Sequence, residues 1–205
     1  MPDRGRLIVF EGGEASGKST QAARLAEELG AVLTREPGGT ALGEALRPIL
    51  LGQAFGALDV RSELLLMVAA RAEHVAKVLR PALAAGRDVV CDRFSGSTIA
   101  YQGYGRGLPL EDVLVACELA TDGCDPDLNV LLDVDEATAQ LRRGRPDDAI
   151  EAAGTAFHRR VREGFLAQAA ADPDRWIVID AAMTTEDVAE AVRDAVGSRV
   201  PEVWR

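Results

Sequence analysis

Lysine is nearly missing from this chain: of its 23 basic Lys and Arg residues only Lys18 and Lys77 are lysines. Basic residues as a whole are outnumbered by 33 acidic ones, giving a formal charge of −10. That balance excludes a broad nucleic-acid or anionic-membrane surface, which needs a basic stripe. The three cysteines, Cys91, Cys117 and Cys124, lack metal-type spacing and form an odd set. They exclude a disulfide framework, and a reduced, cytoplasmic setting is expected, with Cys91 a small buried thiol in an apolar run. Long hydrophobic runs are absent too. The four apolar residues after Met1–Arg6 are too few for a signal or membrane segment. What remains is an ordinary globular composition, 47% apolar and 27% charged over 205 residues, enough for one domain with a full core.

One of the two lysines sits in the most informative stretch, Gly12-Gly13-Glu14-Ala15-Ser16-Gly17-Lys18-Ser19. The apolar run Leu7–Phe10 precedes it and a helical pattern from Ser19 and Thr20 follows. Strand, glycine turn and helix is the order that a G-x-x-x-x-G-K-[ST] phosphate loop requires. Glycines let successive N–H groups turn inward around an anion, and the helix N-terminus adds partial positive charge. Lys18 then reaches the outer phosphates, and the Ser19 hydroxyl is a ligand for Mg²⁺.

Strand-length apolar runs recur at Leu7–Phe10, Ala31–Leu33, Val89–Cys91, Asn129–Val134 and Trp176–Ile179. They are continuously apolar, as strands buried on both faces are. Helical patterns alternate with them: Ser19–Leu29, Leu42–Leu51, a long stretch capped by Asp59 that ends at Pro81 or kinks on to Gly86, Pro109–Ala120, Glu136–Arg143, Thr155–Ala171, and a last helix capped by Thr184 or Thr185 and closed by Gly197. The expected fold is α/β: a doubly wound, five-stranded parallel sheet with helices on both faces. Residues 35–75 form a long excursion, and residues 142–155, rich in arginine and glycine, read as a charged lid.

Other groups fall at the carboxyl ends of strands, where open parallel sheets bind ligands. Asp92-Arg93-Phe94 follows Val89–Cys91, so Asp92 is placed to hold Mg²⁺ and Arg93 to fork onto a phosphate. Asp133, by pattern a rival acidic residue, reads as a solvated group before a helix. Thr34-Arg35-Glu36-Pro37-Gly38-Gly39-Thr40 imposes a tight loop that aims Arg35 and Glu36. Arg71, among small and apolar neighbours, is either a snorkelling surface residue or a ligand-binding one. Ser97-Thr98-Ile99-Ala100-Tyr101-Gln102 offers hydroxyl, phenol and amide groups. His74 and His158 lack a partner at triad or metal spacing and read as solvated helix positions.

No Asn-Lys-x-Asp base-reading motif, Leu-Ser-Gly-Gly signature, Ser-His-Asp set or metal-type Cys/His cluster stands out. A hydroxyl acceptor would want a positioned base, whereas a phosphate monoester arrives already anionic. The missing base and the many arginines favour transfer between two phosphates. From the residues alone, the acceptor stays open, and so does a non-catalytic nucleotide-binding module.

In order along the chain, Phe10-Glu11-Gly12 with Gly17–Gln21, Thr34–Thr40 with Leu42-Gly43-Glu44, Ala70–Val75, Asp92-Arg93-Phe94, Ala100–Gly105 and Phe157-His158-x-Arg160-Val161-Arg162 resemble the bacterial thymidylate kinases. The resemblance runs from Ile8 to about Gly197. It implies transfer from Mg-ATP to dTMP by a homodimer, with the helix Val113–Leu119 offering an apolar face that suits an interface or the core. It places Gly12, Gly13, Glu14, Ala15, Ser16, Gly17, Lys18, Ser19 and Thr20 around ATP phosphates, with Ser19 and Asp92 at Mg²⁺. Arg93 would grip the dTMP phosphate, Arg71, Ser97 and Thr98 would face thymine, Tyr101 would lie near the sugar, and Glu14, Glu36, Arg47 and Gln102 would complete the acceptor pocket. Ala15 stands where some members carry a loop arginine, so Arg142, Arg143 and Arg145 of the lid would supply that charge. Met67 replaces the family's usual stacking aromatic, and Asp148-Ala149-Ile150-Glu151 has one arginine fewer than the family's lid.

Overall fold

In the computed structural model, residues 4–52, 58–142 and 154–204 are described. Five strands, β1 (Leu7–Glu11), β2 (Val32–Arg35), β3 (Val89–Asp92), β4 (Leu128–Asp133) and β5 (Trp176–Asp180), form one sheet in the order β2-β3-β1-β4-β5. Every neighbouring pair is parallel. Alternate residues of a strand point to opposite faces, and both faces are covered here. Ile8, Phe10, Val90, Leu128, Val130 and Leu132 pack with Ala22, Leu25, Val188, Val192 and Val196. Leu7, Val9, Val89 and Cys91 pack on the other side with Val75, Leu79, Ala82 and Leu83. Further along that side, Leu131 meets Phe157, Val161 and Phe165. The expected doubly wound α/β sheet is the one observed.

The helices are α1 (Lys18–Leu29), α2 (Ala41–Leu51), α3 (Val60–His74), α4 (Arg80–Ala84), α5 (Ser95–Thr98), α6 (Leu110–Thr121), α7 (Glu136–Arg142), α8 (Thr155–Ala171) and α9 (Thr185–Arg199). A π-helical turn, Val75–Leu79, joins α3 to α4, so the long stretch capped by Asp59 does run past Pro81. Pro81 comes just after that π turn, whose wider bonding ends with Arg80 N–H on the Val75 carbonyl. Three sequence expectations shift. Pro109 stands just ahead of α6 rather than in its first turn. Gly197 lies inside α9, which continues to Arg199. Residues 95–105, read as a string of polar groups, form α5 and a second π turn, Ile99–Gly105. Glycines at 96, 103 and 105 hide that helix from a propensity reading. They are needed because a Cβ at Gly105 would sit 2.6 Å from the Phe157 ring of α8.

Register explains why distant motifs meet. Phe10 of β1 and Arg35 of β2 both pair with Asp92 of β3. The phosphate loop, the Glu36–Thr40 loop and the Asp92-Arg93 step therefore leave the sheet side by side at its carboxyl edge. The chain leaves central β1 for β2 and β3 on one side and then crosses from β3 to β4 and β5 on the other, and this switch of side opens a crevice at that edge.

Candidate active site

A cavity of about 820 Å³ occupies this crevice, running from Lys18, Ser19 and Thr20 to Met67, Arg71 and Gln102. Its wall carries six cations (Lys18, Arg35, Arg47, Arg71, Arg93, Arg142) against three carboxylates (Glu14, Glu36, Asp92). In a chain of net charge −10 this is a locally basic enclosure, suited to polyanions.

The phosphate loop is built by backbone need. Gly12 has φ +143° and a Cβ there would lie 2.4 Å from the Leu132 carbonyl oxygen of β4. Ala15 also takes a left-handed conformation, φ +56°. The Lys18 ammonium bridges the loop, donating to Gly13 O at 2.5 Å and to Ser16 Oγ at 3.2 Å. Burial first, and then Arg93, lower its pKa to about 8. Ser19 Oγ donates to Asp92 Oδ2 at 2.5 Å. Asp92 Oδ1 is buried with no hydrogen-bond partner among the described residues. A hydroxyl beside a carboxylate with a spare oxygen is a hard-oxygen donor set that fits Mg²⁺. No group of three or more His, Cys, Asp or Glu side chains among the described residues could hold a metal ion, so water and phosphate oxygens would complete the shell.

Arg93 lies at the centre, with φ +72° just beyond β3. One guanidinium nitrogen donates to Gly12 O at 3.0 Å and to Ser97 Oγ at 3.2 Å, and the other contacts Glu14 Oε1. Glu14 also accepts from the Tyr101 hydroxyl at 2.8 Å. Burial pushes the Glu14 carboxyl up, but Arg93 and Lys18 outweigh it and hold the pKa at about 2. The Tyr101 ring packs 5.2 Å from the Arg93 guanidinium and against Phe157 and Phe165.

The excursion 35–75 delivers the opposite wall. Arg47 on α2 donates to Pro37 O at 2.7 Å. Met67 and Arg71, one turn apart on α3, both line the cavity. Arg71 is no snorkelling residue: it is 2% exposed, with Nε donating to Glu36 Oε2 at 2.8 Å and Nη2 to Thr98 Oγ1 at 2.9 Å. Thr98 is thus the residue beside Arg71, whereas Ser97 Oγ donates to Glu11 Oε2 at 2.5 Å. Gln102 gives its amide N–H to Glu63 Oε1 at 2.8 Å. Arg142 reaches the cavity but donates to the carbonyls of Ala181, Ala182 and Met183. Arg143, Arg145 and the Asp148–Glu151 stretch lie outside the described residues.

Three expectations need correction. His74 is fully buried and bonded to Glu36 and Thr34, because α3 rotates it beneath the Glu36 loop. His158 is 8% exposed and packs edge-on against Phe157. Asp133 is partly exposed but not free, since Arg162 of α8 forks onto it with two bonds of 2.7 Å. Sequence reasoning also passed over Glu11 and Glu63. Glu11 is buried and accepts from Phe94 N and Ser97 N, both at 3.0 Å, clamping α5 to the root of the phosphate loop. A lone acid closing an apolar strand was its signal. Glu63 pairs with Arg106 across 43 positions, and nothing local announces it.

A model of the family described as thymidylate kinase matches residues 10–192. The chain belongs to the thymidylate kinase family. Among its relatives, thymidylate kinase of Solidesulfovibrio magneticus is 51% identical, the match covering 93% of this chain and 98% of that one. A Synechococcus thymidylate kinase is 50% identical over 95% and 96% of the two chains. The crystal structure of thymidylate kinase from Ehrlichia chaffeensis superposes with a TM-score of 0.78 at 38% identity, covering 94% of this chain and 99% of that one. For a thymidylate kinase family member the substitution at Met67 is the notable one, since this thioether lines the cavity where an aromatic ring was expected.

Proposed function

We propose that this chain transfers the terminal phosphoryl group of ATP to dTMP, giving dTDP and ADP on the way to dTTP. The observation that carries the reading is the place of Arg93. One guanidinium touches the phosphate loop at Gly12 and Glu14 and the α5 segment at Ser97, inside a single cavity. A cation in that position can neutralise both polyanions and align them. Lys18 and the loop amides are suited to the ATP phosphates, and Arg93 to the dTMP phosphate. Glu14 holds the Arg93 charge and orients the Tyr101 hydroxyl toward the sugar side. Ser19 and Asp92 would hold Mg²⁺, which supplies charge neutralisation across the donor phosphates when bound. The acceptor phosphate needs no base to remove a proton.

The same reading extends to two coarser matters. Leu114, Val115 and Leu119 of α6 stay exposed with Leu65 of α3, while Val113 and Cys117 face inward. That outer apolar face supports a homodimer. No helix among the described residues is long and apolar enough to cross a membrane, and a cytoplasmic setting fits the substrates proposed.

The test is coupled ADP release with Mg-ATP and dTMP, dUMP, dCMP, AMP or GMP as acceptor. A strong preference for dTMP is expected. Preference for another monophosphate, or ATP binding without turnover, would overturn the proposal.

A further inference from the structure

A chain of buried side chains runs through the acceptor wall: Thr34, Glu36, Arg71 and Thr98 line the cavity, and His74 supports them from behind. His74 Nε2 lies 2.7 Å from Thr34 Oγ1, and His74 Nδ1 lies 2.8 Å from Glu36 Oε1. Glu36 Oε2 accepts from Arg71 Nε at 2.8 Å, and Arg71 Nη2 donates to Thr98 Oγ1 at 2.9 Å. Thr34, Glu36, Arg71, His74 and Thr98 are each at most 9% exposed. His74 is 0% exposed and does not line the cavity. It touches no ligand-accessible space, yet it is the only one of the five that bonds to both the β2 strand end and the loop carboxylate.

The geometry has a direct mechanical reading. A carboxylate only accepts, so Nδ1 carries the proton that faces Glu36. Each Glu36 oxygen then serves one partner, His74 on one side and Arg71 on the other. Rotating the carboxylate to serve Arg71 differently would break the bond to His74. Arg71 spends three of its donors on Glu36, Thr98 and Cys117 Sγ, and its guanidinium lies 5.2 Å from the Phe94 ring centre. A guanidinium has five N–H donors, so two are left for the cavity that Arg71 lines. Their direction is set by the plane in which Glu36 holds the group. Gly39 makes room for the arrangement: its φ is +76°, and a Cβ there would lie 2.7 Å from Thr34 Oγ1 and 2.8 Å from the His74 ring.

We propose that His74 is a positioning residue for acceptor-base selectivity, acting through Glu36 to fix the two Arg71 donors that face the base. The inference rests on the proposed function, taken together with the family resemblance, which assigns Arg71, a residue lining the cavity, to the pyrimidine of the acceptor. dTMP presents a ring carbonyl oxygen where dCMP presents an amino group, so correctly aimed N–H donors favour the former and misaimed ones discriminate less.

Two substitutions separate the halves of the imidazole. In His74→Asn the amide N–H takes the place of Nδ1 and keeps the bond to Glu36. In His74→Gln the amide reaches the Nε2 position and loses it. Steady-state kinetics with dTMP and dCMP, and with ATP varied at saturating dTMP, are expected to split the two. His74→Asn should keep the dTMP KM and the dTMP-to-dCMP preference within about twofold. His74→Gln should raise the dTMP KM about tenfold and shrink that preference comparably, with the ATP KM unchanged. Equal effects of the two variants, no effect of either, or a joint rise of the ATP and dTMP KM values would overturn the proposal. If neither variant folds, Thr34→Val removes only the bond behind His74. A loss of preference of about threefold with an unchanged ATP KM is then expected, and wild-type kinetics would overturn the idea. Acceptor preference of the wild type is measured first, so failure of the dTMP reading is seen separately from failure of the role assigned to His74.

Discussion

Arg93 and Glu14 close an ion pair between the end of β3 and the phosphate loop, with both side chains less than one-fifth exposed. The pair joins two parts of the site, because Glu14 belongs to the phosphate loop and Arg93 to the segment that continues into α5. Neither charge is left unbalanced in the basic enclosure.

Replacing Arg93 with alanine removes the cation that the proposed function shares between both substrates. Turnover is expected to fall by about 10³-fold, the range seen when a donor to a transferring phosphoryl group is lost. ATP affinity, which the proposal assigns to Lys18 and the loop amides, should change by less than about threefold. Coupled ADP release and calorimetric ATP titration check both, and a variant that loses ATP but still binds dTMP would reverse the assignment of the two phosphate sites.

With Lys18 on the ATP phosphates, as proposed, ATP binding should be proton-linked. The pKa of Lys18 is lowered from 10.5 to about 8 in the free protein by burial and Arg93, and bound phosphates favour its charged form. ATP binding at about pH 8.5 should therefore take up a fraction of a proton, and at about pH 6.5 none through this group. Calorimetry in two buffers of different ionisation enthalpy measures the uptake, which Lys18→Met should abolish. For the free fold the sign is opposite to that of a salt-bridged lysine. Between about pH 8 and 10.5 the unfolded chain holds the proton that the folded one has released, so this group's contribution to stability rises with pH there.

Glu11 sets a second pH dependence. Burial raises its carboxyl to about 7, against the lowering effect of the Ser97 hydroxyl and Arg93. Its contribution to stability is fully present below about pH 4.5 and is lost as pH rises through 7. Glu11→Gln should flatten that fall in urea denaturation measured from pH 4.5 to 7.5. Glu11→Ala should cost about 2–4 kcal/mol, since Phe94 N and Ser97 N lose their buried acceptor. A pH-independent difference between wild type and Glu11→Gln would argue against the titration.

Met67→Phe restores a ring to the wall next to Arg71. A thioether contact with a base is worth about 0.3–1.5 kcal/mol, an aromatic stack about 1–3. Binding of dTMP should tighten by about three- to tenfold with kcat little changed. Unchanged or weaker binding would show that the pocket has been reshaped around the methionine.

Much of this protein is dictated locally. The five apolar runs, the glycine spacing around Lys18 and the capping residues Asp59, Asp135 and Thr184 specify the parallel α/β sheet and its phosphate loop, because each acts through neighbours in the chain. Asp92 and Arg93 could be placed at the site because a strand end in such a sheet has a known direction. The roles of Glu11, Glu63, His74 and Asp133 were beyond that reach. Each meets its partner across 29 to 86 positions of sequence, and only packing brings those partners together. A charged or polar side chain can be buried only with a partner, so its function is decided where the chain folds back on itself rather than where the residue sits in sequence.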